Sequence, residues 1–205
     1  MNTIKTVVFD LGRVLVTIDA TGDKFVRLMR AAGIPPAEAF DKFWFTAEVR
    51  QFMTGEIDSH DFYHAAVERI GLDWSYEEFA EAWCDLFHPR PEMETLFKEV
   101  AARYRVGLLS DTDPLHWMAV RKLLPWLDMI EKPTLSFEVG CLKPHPRMFA
   151  AAAADNGCAK EECLFIDDLR ENVDGARYSG MPALLFSGAD KLRRVLRKLR
   201  VLDGI

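Results

Sequence analysis

A chain of 205 residues with 49% hydrophobic content and a formal net charge of −6 is long enough for one packed core carrying a sizeable insertion and short of two average domains. The acidic balance excludes a dedicated nucleic-acid binder, since no excess of basic charge is available to neutralise phosphates. Cys84, Cys141, Cys158 and Cys163 have no zinc-site spacing, no apolar run spans a bilayer and no basic leader precedes the first strand, so free thiols in a soluble cytoplasmic protein, away from any membrane, are expected.

Thr6 to Phe9 is a run of β-branched and aromatic residues, the length of one buried strand, and it stops at Asp10. The segment from about Asp19 to His88 then reads as wholly helical. Phe25, Leu28, Met29 and Ala32 recur at i, i+3, i+4 and i+7 before Gly33, and Pro36 suits the first turn of a second helix. Short aromatic-rich helices follow over Ala37–Phe45 and Thr46–Met53. Asp58 or Ser59 caps a helix that Gly71 stops near Ile70, and Ser75 with Glu78 forms a capping box before Tyr76, Phe79, Ala80, Trp83 and Phe87. Helices without a strand make a small bundle, with Trp44, Phe45, Phe52, Trp74 and Trp83 read mainly as its core.

From Pro91 the pattern alternates. A helix striped by Met93, Leu96, Phe97, Val100, Ala101 and Tyr104 leads into a strand, Arg105–Ser110, followed by Asp111. Asp113-Pro114 opens a helix to about Leu124, and a third strand is expected near Thr134–Phe137. A loop bearing Lys143 precedes an alanine-rich helix, Pro146–Asp155. Cys163–Ile166 is a strand ending in Asp167-Asp168, Glu171–Tyr178 a helix, and Pro182–Phe186 a fifth strand. A last helix runs from Ala189 to about Leu202, with Leu192, Val195, Leu196, Leu199 and Leu202 on one face and a solvated basic face opposite. This alternation predicts an α/β fold with a doubly wound parallel sheet and right-handed crossovers, plus a helical-bundle cap inserted after the first strand. The expected division is a core of residues 1–18 and 89–205 and a cap of residues 19–88.

Strand ends and one loop bring Asp10, Ser110, Asp111, Lys143, Asp167 and Asp168 to one edge of the sheet, where ligands bind in open parallel sheets. Carboxylates about 4 Å apart repel by roughly 4 kcal/mol per pair at an effective dielectric near 20, so a cation must sit among them. Lys143 neutralises part of this charge, and a hard divalent ion held through oxygens, Mg²⁺, neutralises the rest. His60, His64, His88, His116 and His145 share no metal-ligand spacing and read as surface or helix-end residues.

Four motifs in order, Phe9-Asp10-Leu11-Gly12-Arg13-Val14-Leu15, Leu108-Leu109-Ser110-Asp111, Lys143-Pro144, and Phe165-Ile166-Asp167-Asp168 with Asn172-Val173-Asp174-Gly175-Ala176, resemble the haloacid dehalogenase superfamily over nearly the whole chain. The resemblance implies a Rossmannoid core, a helical cap and a small phosphorylated metabolite, a sugar phosphate among the candidates, as substrate. It implies Asp10 as nucleophile, Ser110 and Lys143 as catalytic groups that hold the phosphoryl oxygens, and Asp10, the Gly12 carbonyl, Asp167 and Asp168 as Mg²⁺ ligands. Asp111 and Arg13 join the substrate-binding set, and a monomer or homodimer is expected. Gly12 departs from the superfamily's common pattern, which has an acid/base aspartate there. Asp111, Asp19 or a bound water are the substitutes. A metal-independent 2-haloacid dehalogenase and a catalytically silent phospholigand- or partner-binding protein are the alternatives.

Overall fold

The computed structural model describes residues 4–19, 21–31, 33–35, 46–71 and 73–202. Strand β1 (Thr6–Phe9) is the centre of a five-stranded parallel sheet. It is flanked by β4 (Arg105–Ser110) and β6 (Cys163–Asp167), with β5 (Thr134–Leu135) beyond β4 and β7 (Ala183–Leu185) beyond β6. Phe9 is in register with Leu108 on one side and Ile166 on the other, so Asp10, Leu109-Ser110 and Asp167 emerge together at the carboxyl edge.

Residues along the central strands alternate between two apolar layers, as a period of two requires. Val7, Phe9, Leu164 and Ile166 pack with α5 (Pro91–Ala101), α6 (Pro114–Leu123) and α10 (Ala189–Lys198). Val8, Cys163 and Phe165 face the other way, onto α8 (Pro146–Asp155) and α9 (Arg170–Tyr178). The sheet is therefore doubly wound, and its strands read as continuous apolar runs because both faces are covered.

The inserted helices α1 (Asp23–Ala31), α2 (Ala47–Met53), α3 (Ser59–Ile70) and α4 (Tyr76–Cys84) bury a second core of their own around Phe25, Phe52, Phe62, Phe79 and Trp83. Asp58 caps α3, and the Ser75–Glu78 capping box opens α4. The helices expected to start at Pro36 and to cover 37–45, with Trp44 and Phe45, lie outside the described residues, as does Ala32.

Three elements differ from expectation. The inserted segment is not wholly helical: β2 (Val16–Ile18) pairs antiparallel with β3 (Phe87–Pro89), placing Phe87 on a strand. Three-residue strands are too short to show a period, and this ribbon is where the chain leaves and re-enters the core. The third core strand stops at Leu135 because Ser136 turns the chain into a short helix, α7 (Ser136–Val139), its hydroxyl accepting from the Thr112 N–H at 2.9 Å. The last helix stops at Lys198. Arg200 takes a left-handed φ of 60° there, which leaves Leu199 half exposed while Val201 and Leu202 fold back into the core. Among the described residues no helix is long and apolar enough to cross a membrane.

Candidate active site

Asp10 follows β1 directly and is buried, as are Asp167 at the end of β6 and Lys143 in the loop before α8. The Lys143 ammonium lies 2.6 Å from Asp10 Oδ1, 2.8 Å from Asp167 Oδ2 and 3.3 Å from the Leu109 carbonyl. An ammonium has three protons. All three are engaged, so a bound phosphoryl oxygen would have to replace one acceptor, and the long contact to Leu109 is the weakest.

Asp167 is equally committed. Its oxygens accept from Lys143, from the Leu169 N–H at 2.7 Å and from the Asn172 amide at 3.1 Å to each oxygen. Three donor groups make four contacts to about four lone-pair sites. Asn172 was legible only as part of a resembling motif; here it is the residue that orients the buried carboxylate. On the same helix, a Cβ on Gly175 would stand 2.5 Å from Pro144 Cβ, so a glycine lets α9 press against the lysine loop.

Asp10, Asp167 and Asp168 each offer an oxygen within 4.8 Å of the others. Burial pushes the Asp10 carboxyl from its ordinary 3.8 up to about 7, partly opposed by Lys143 and reinforced by Asp167 and Asp168. The same burial, with Asp167 adding to it and Arg13 resisting, raises Asp168. The carboxylates lift the Lys143 ammonium above its usual range despite its own desolvation, so it stays charged. Three converging carboxylates against one lysine leave a net negative charge, and an all-oxygen set of this kind fits a hard divalent cation.

These groups open onto a cavity of about 660 Å³ lined by Asp10, Gly12, Arg13, Asp111, Lys143 and Asp168, by Leu142, Leu169, Glu171 and Asn172, and from the insertion side by Ile18, Thr46, Arg50 and Met53. That volume suits a small organic ligand. Arg13 holds a left-handed φ of 58°, a strained conformation for a residue with a side chain, in the loop directly after the acid. Asp111 accepts two bonds from the Lys143 N–H, at 2.9 and 3.2 Å, which fixes the lysine loop, and burial raises its carboxyl. Ser110 is buried at the end of β4, its hydroxyl 3.4 Å from the Asp111 carbonyl, and is not among the lining residues.

Asp19 is not there either. It sits at the ribbon, accepting from Thr21 and 3.2 Å from His88 Nε2, and the Thr21 hydroxyl holds its carboxyl below the usual range. Gly12 reaches the cavity, and a Cβ there would meet Ile18 Cδ1 at 2.8 Å, so Ile18 fills the space beside the missing side chain. His116 lies in the first turn of α6, at a helix end as expected, but is buried rather than at the surface. Its Nδ1 is 2.7 Å from Asp113, its Nε2 3.0 Å from the Trp83 carbonyl, and its ring stacks on Trp83, which joins the core to α4. His145 caps α8 by accepting from the Arg147 N–H.

The model of the haloacid dehalogenase-like hydrolase family matches residues 4–180. A D-ribitol-5-phosphate phosphatase of Bacteroides thetaiotaomicron is 30% identical over 83% of this chain and 85% of its own length. A Mycobacterium tuberculosis protein, phosphatase MT3486, is 31% identical over 98% of this chain and 96% of its own. Among solved structures, a HAD family enzyme from B. thetaiotaomicron in complex with magnesium and inorganic phosphate superposes with a TM-score of 0.79 at 27% identity, covering 90% of this chain and 94% of that one.

Proposed function

The chain belongs to the haloacid dehalogenase-like hydrolase family, and we propose that it hydrolyses a small phosphorylated metabolite, the phosphate monoester of a sugar or of a sugar-derived alcohol or acid, through a phosphoryl group carried on Asp10. The protein is a phosphatase-type hydrolase that uses Mg²⁺; the substrate and the roles of single residues are the proposal. The observation that carries it is the buried triad of Asp10, Lys143 and Asp167 beside Asp168, opening onto a cavity of metabolite size. A dehalogenating aspartate attacks carbon without metal and has no need of that acidic cluster.

Asp10 attacks phosphorus, the ester P–O bond breaks, and water then cleaves the acyl phosphate to free phosphate and restore the carboxylate. Asp10, Asp168 and the Gly12 carbonyl, with Asp167 beside them, would hold Mg²⁺, which when bound would offset charge on the transferring group. Asp167, one of the three carboxylates of that cluster, also accepts from Lys143, Leu169 and Asn172 and so holds the lysine. The leaving alkoxide takes its proton from Asp111, the carboxyl of the two sequence candidates that lines the cavity, or from water. A cytoplasmic location, a core of residues 1–18 and 89–205 and a cap of 19–88 belong to the same reading.

The test is phosphate release across a metabolite panel with Mg²⁺ or EDTA, in the wild type and in Gly12→Asp. Release that requires Mg²⁺ is expected. The restored carboxylate, for which Ile18 need only swing its terminal methyl, should raise rates on alkyl phosphates up to about 10²-fold relative to aryl phosphates. Undiminished release in EDTA, or ligand binding with no turnover of any ester, overturns the proposal.

Protons compete with the cation at Asp10. Without metal, the native state holds a proton between 3.8 and about 7 that the unfolded chain gives up, so stability falls as pH rises through that window. Mg²⁺ binds the ionised form and should raise the calorimetric Tm more at about pH 8 than at about pH 5.5. An equal shift at both contradicts the assignment of Asp10 as a ligand.

A further inference from the structure

We propose that Arg50 determines specificity by pairing with a carboxylate on the substrate, so that the preferred substrates are phosphomonoesters carrying a carboxylate on a short carbon chain; this rests on the phosphatase reading and deepens it. The phosphoryl end of the site is already specified by Lys143 and the acidic cluster. The rest of the lining is largely apolar, with Ile18, Met53, Leu142 and Leu169, and among the described residues the insertion adds one cation to it, Arg50.

The other two described cations of the cavity, Lys143 and Arg13, are committed. Lys143 serves Asp10, Asp167 and the Leu109 carbonyl, and Arg13 offsets Asp168. Arg50 is exposed and among the described residues makes no ion pair. An arginine fork matches a carboxylate in two parallel hydrogen bonds. A second phosphate fits less well, because Asp10, Asp111, Asp168 and Glu171 share the same cavity and one guanidinium leaves its second charge unopposed.

The helix that carries Arg50 is anchored at its end. The Ser136 hydroxyl is 2.7 Å from the Met53 carbonyl and accepts from the Thr112 N–H, tying α2 to the loop that bears Asp111. Two residues on, Gly55 has a φ of +71°, and a Cβ there would stand 2.3 Å from the Phe137 carbonyl oxygen, an approach only glycine permits. Arg50 therefore projects from a fixed backbone, which cuts the ordering cost of a pairing.

The experiment compares kcat/KM for two matched pairs, 3-phosphoglycerate with glycerol 3-phosphate and 6-phosphogluconate with sorbitol 6-phosphate, in the wild type, Arg50→Gln and Arg50→Lys. The wild type should favour the acid of at least one pair by about 10- to 100-fold. Arg50→Gln should collapse that ratio to within about threefold, with Arg50→Lys between. A ratio near one in the wild type for both pairs, or a preference that survives in Arg50→Gln, overturns the proposal. Failure of the phosphatase reading looks different: no ester is turned over, p-nitrophenyl phosphate included, and calorimetric binding of the same pairs then reads the carboxylate preference directly.

Discussion

Asp10→Asn is expected to lower Mg²⁺-dependent phosphate release by about 10⁴-fold or more while leaving the protein folded. The amide keeps the shape of the side chain but has no charge with which to attack phosphorus, and no other described carboxylate follows directly on the central strand. The fold should tolerate the change. The ionised Asp10 is buried at a cost, as its upward shift to about 7 records, and Lys143 keeps Asp167 at 2.8 Å as a counter-ion. A melting temperature equal to or above that of the wild type, with turnover lost, separates a chemical role from a structural one. Turnover within about tenfold of the wild type would remove Asp10 from the reaction.

Lys143→Met should be the most damaging single change, acting on both activity and stability. It strips the counter-charge from two buried carboxylates, a loss that costs about 3–5 kcal/mol when one partner of a buried pair is removed. Protonation limits that loss. The variant's deficit in urea unfolding should shrink on acidification, as Asp10 takes up a proton, and Mg²⁺ should recover part of it at neutral pH. Activity should fall by about 10³-fold or more if, as proposed, the ammonium that pairs with Asp10 also meets the phosphoryl group. A variant that melts like the wild type at neutral pH without metal would show that the two carboxylates do not depend on this lysine.

The strands and the acids at their ends were legible because both obey short-range rules. Val7, Val8 and Phe9 are apolar on both faces, as a covered parallel strand demands, and the chain turns polar only at Asp10. The same held for Leu109-Ser110-Asp111 and Ile166-Asp167-Asp168. The helix caps at Asp58, Ser75 and Asp113 followed from single side chains. What sequence reasoning missed depends on contacts across the fold. The ribbon of Val16–Ile18 with Phe87–Pro89 joins residues about 70 positions apart and is too short for a pattern. Ile18 and Arg50 carry no local mark of a cavity; one is an ordinary apolar residue and the other sits on the polar side of a seven-residue helix. His116 had a signal that went unused, since Asp113 and His116 are an N-cap acid and a partner three residues on, the spacing of a paired first turn.

Gly12 shows the opposite limit. The absent carboxylate was visible at once, but which side chain closes the space was not, because Ile18 arrives from the ribbon. Asp19, equally plausible from its place in the chain, is spent on Thr21 and His88 away from the cavity.

Asp10 as carrier of the phosphoryl group is open to direct observation. Rapid acid quench of the turning-over enzyme, followed by peptide mass spectrometry, tests it most directly. A phosphoryl adduct should form on the peptide containing Asp10 with Mg²⁺ and be absent in EDTA and in Asp10→Asn; steady turnover with no adduct, or with an adduct on another residue, would rule Asp10 out as the carrier.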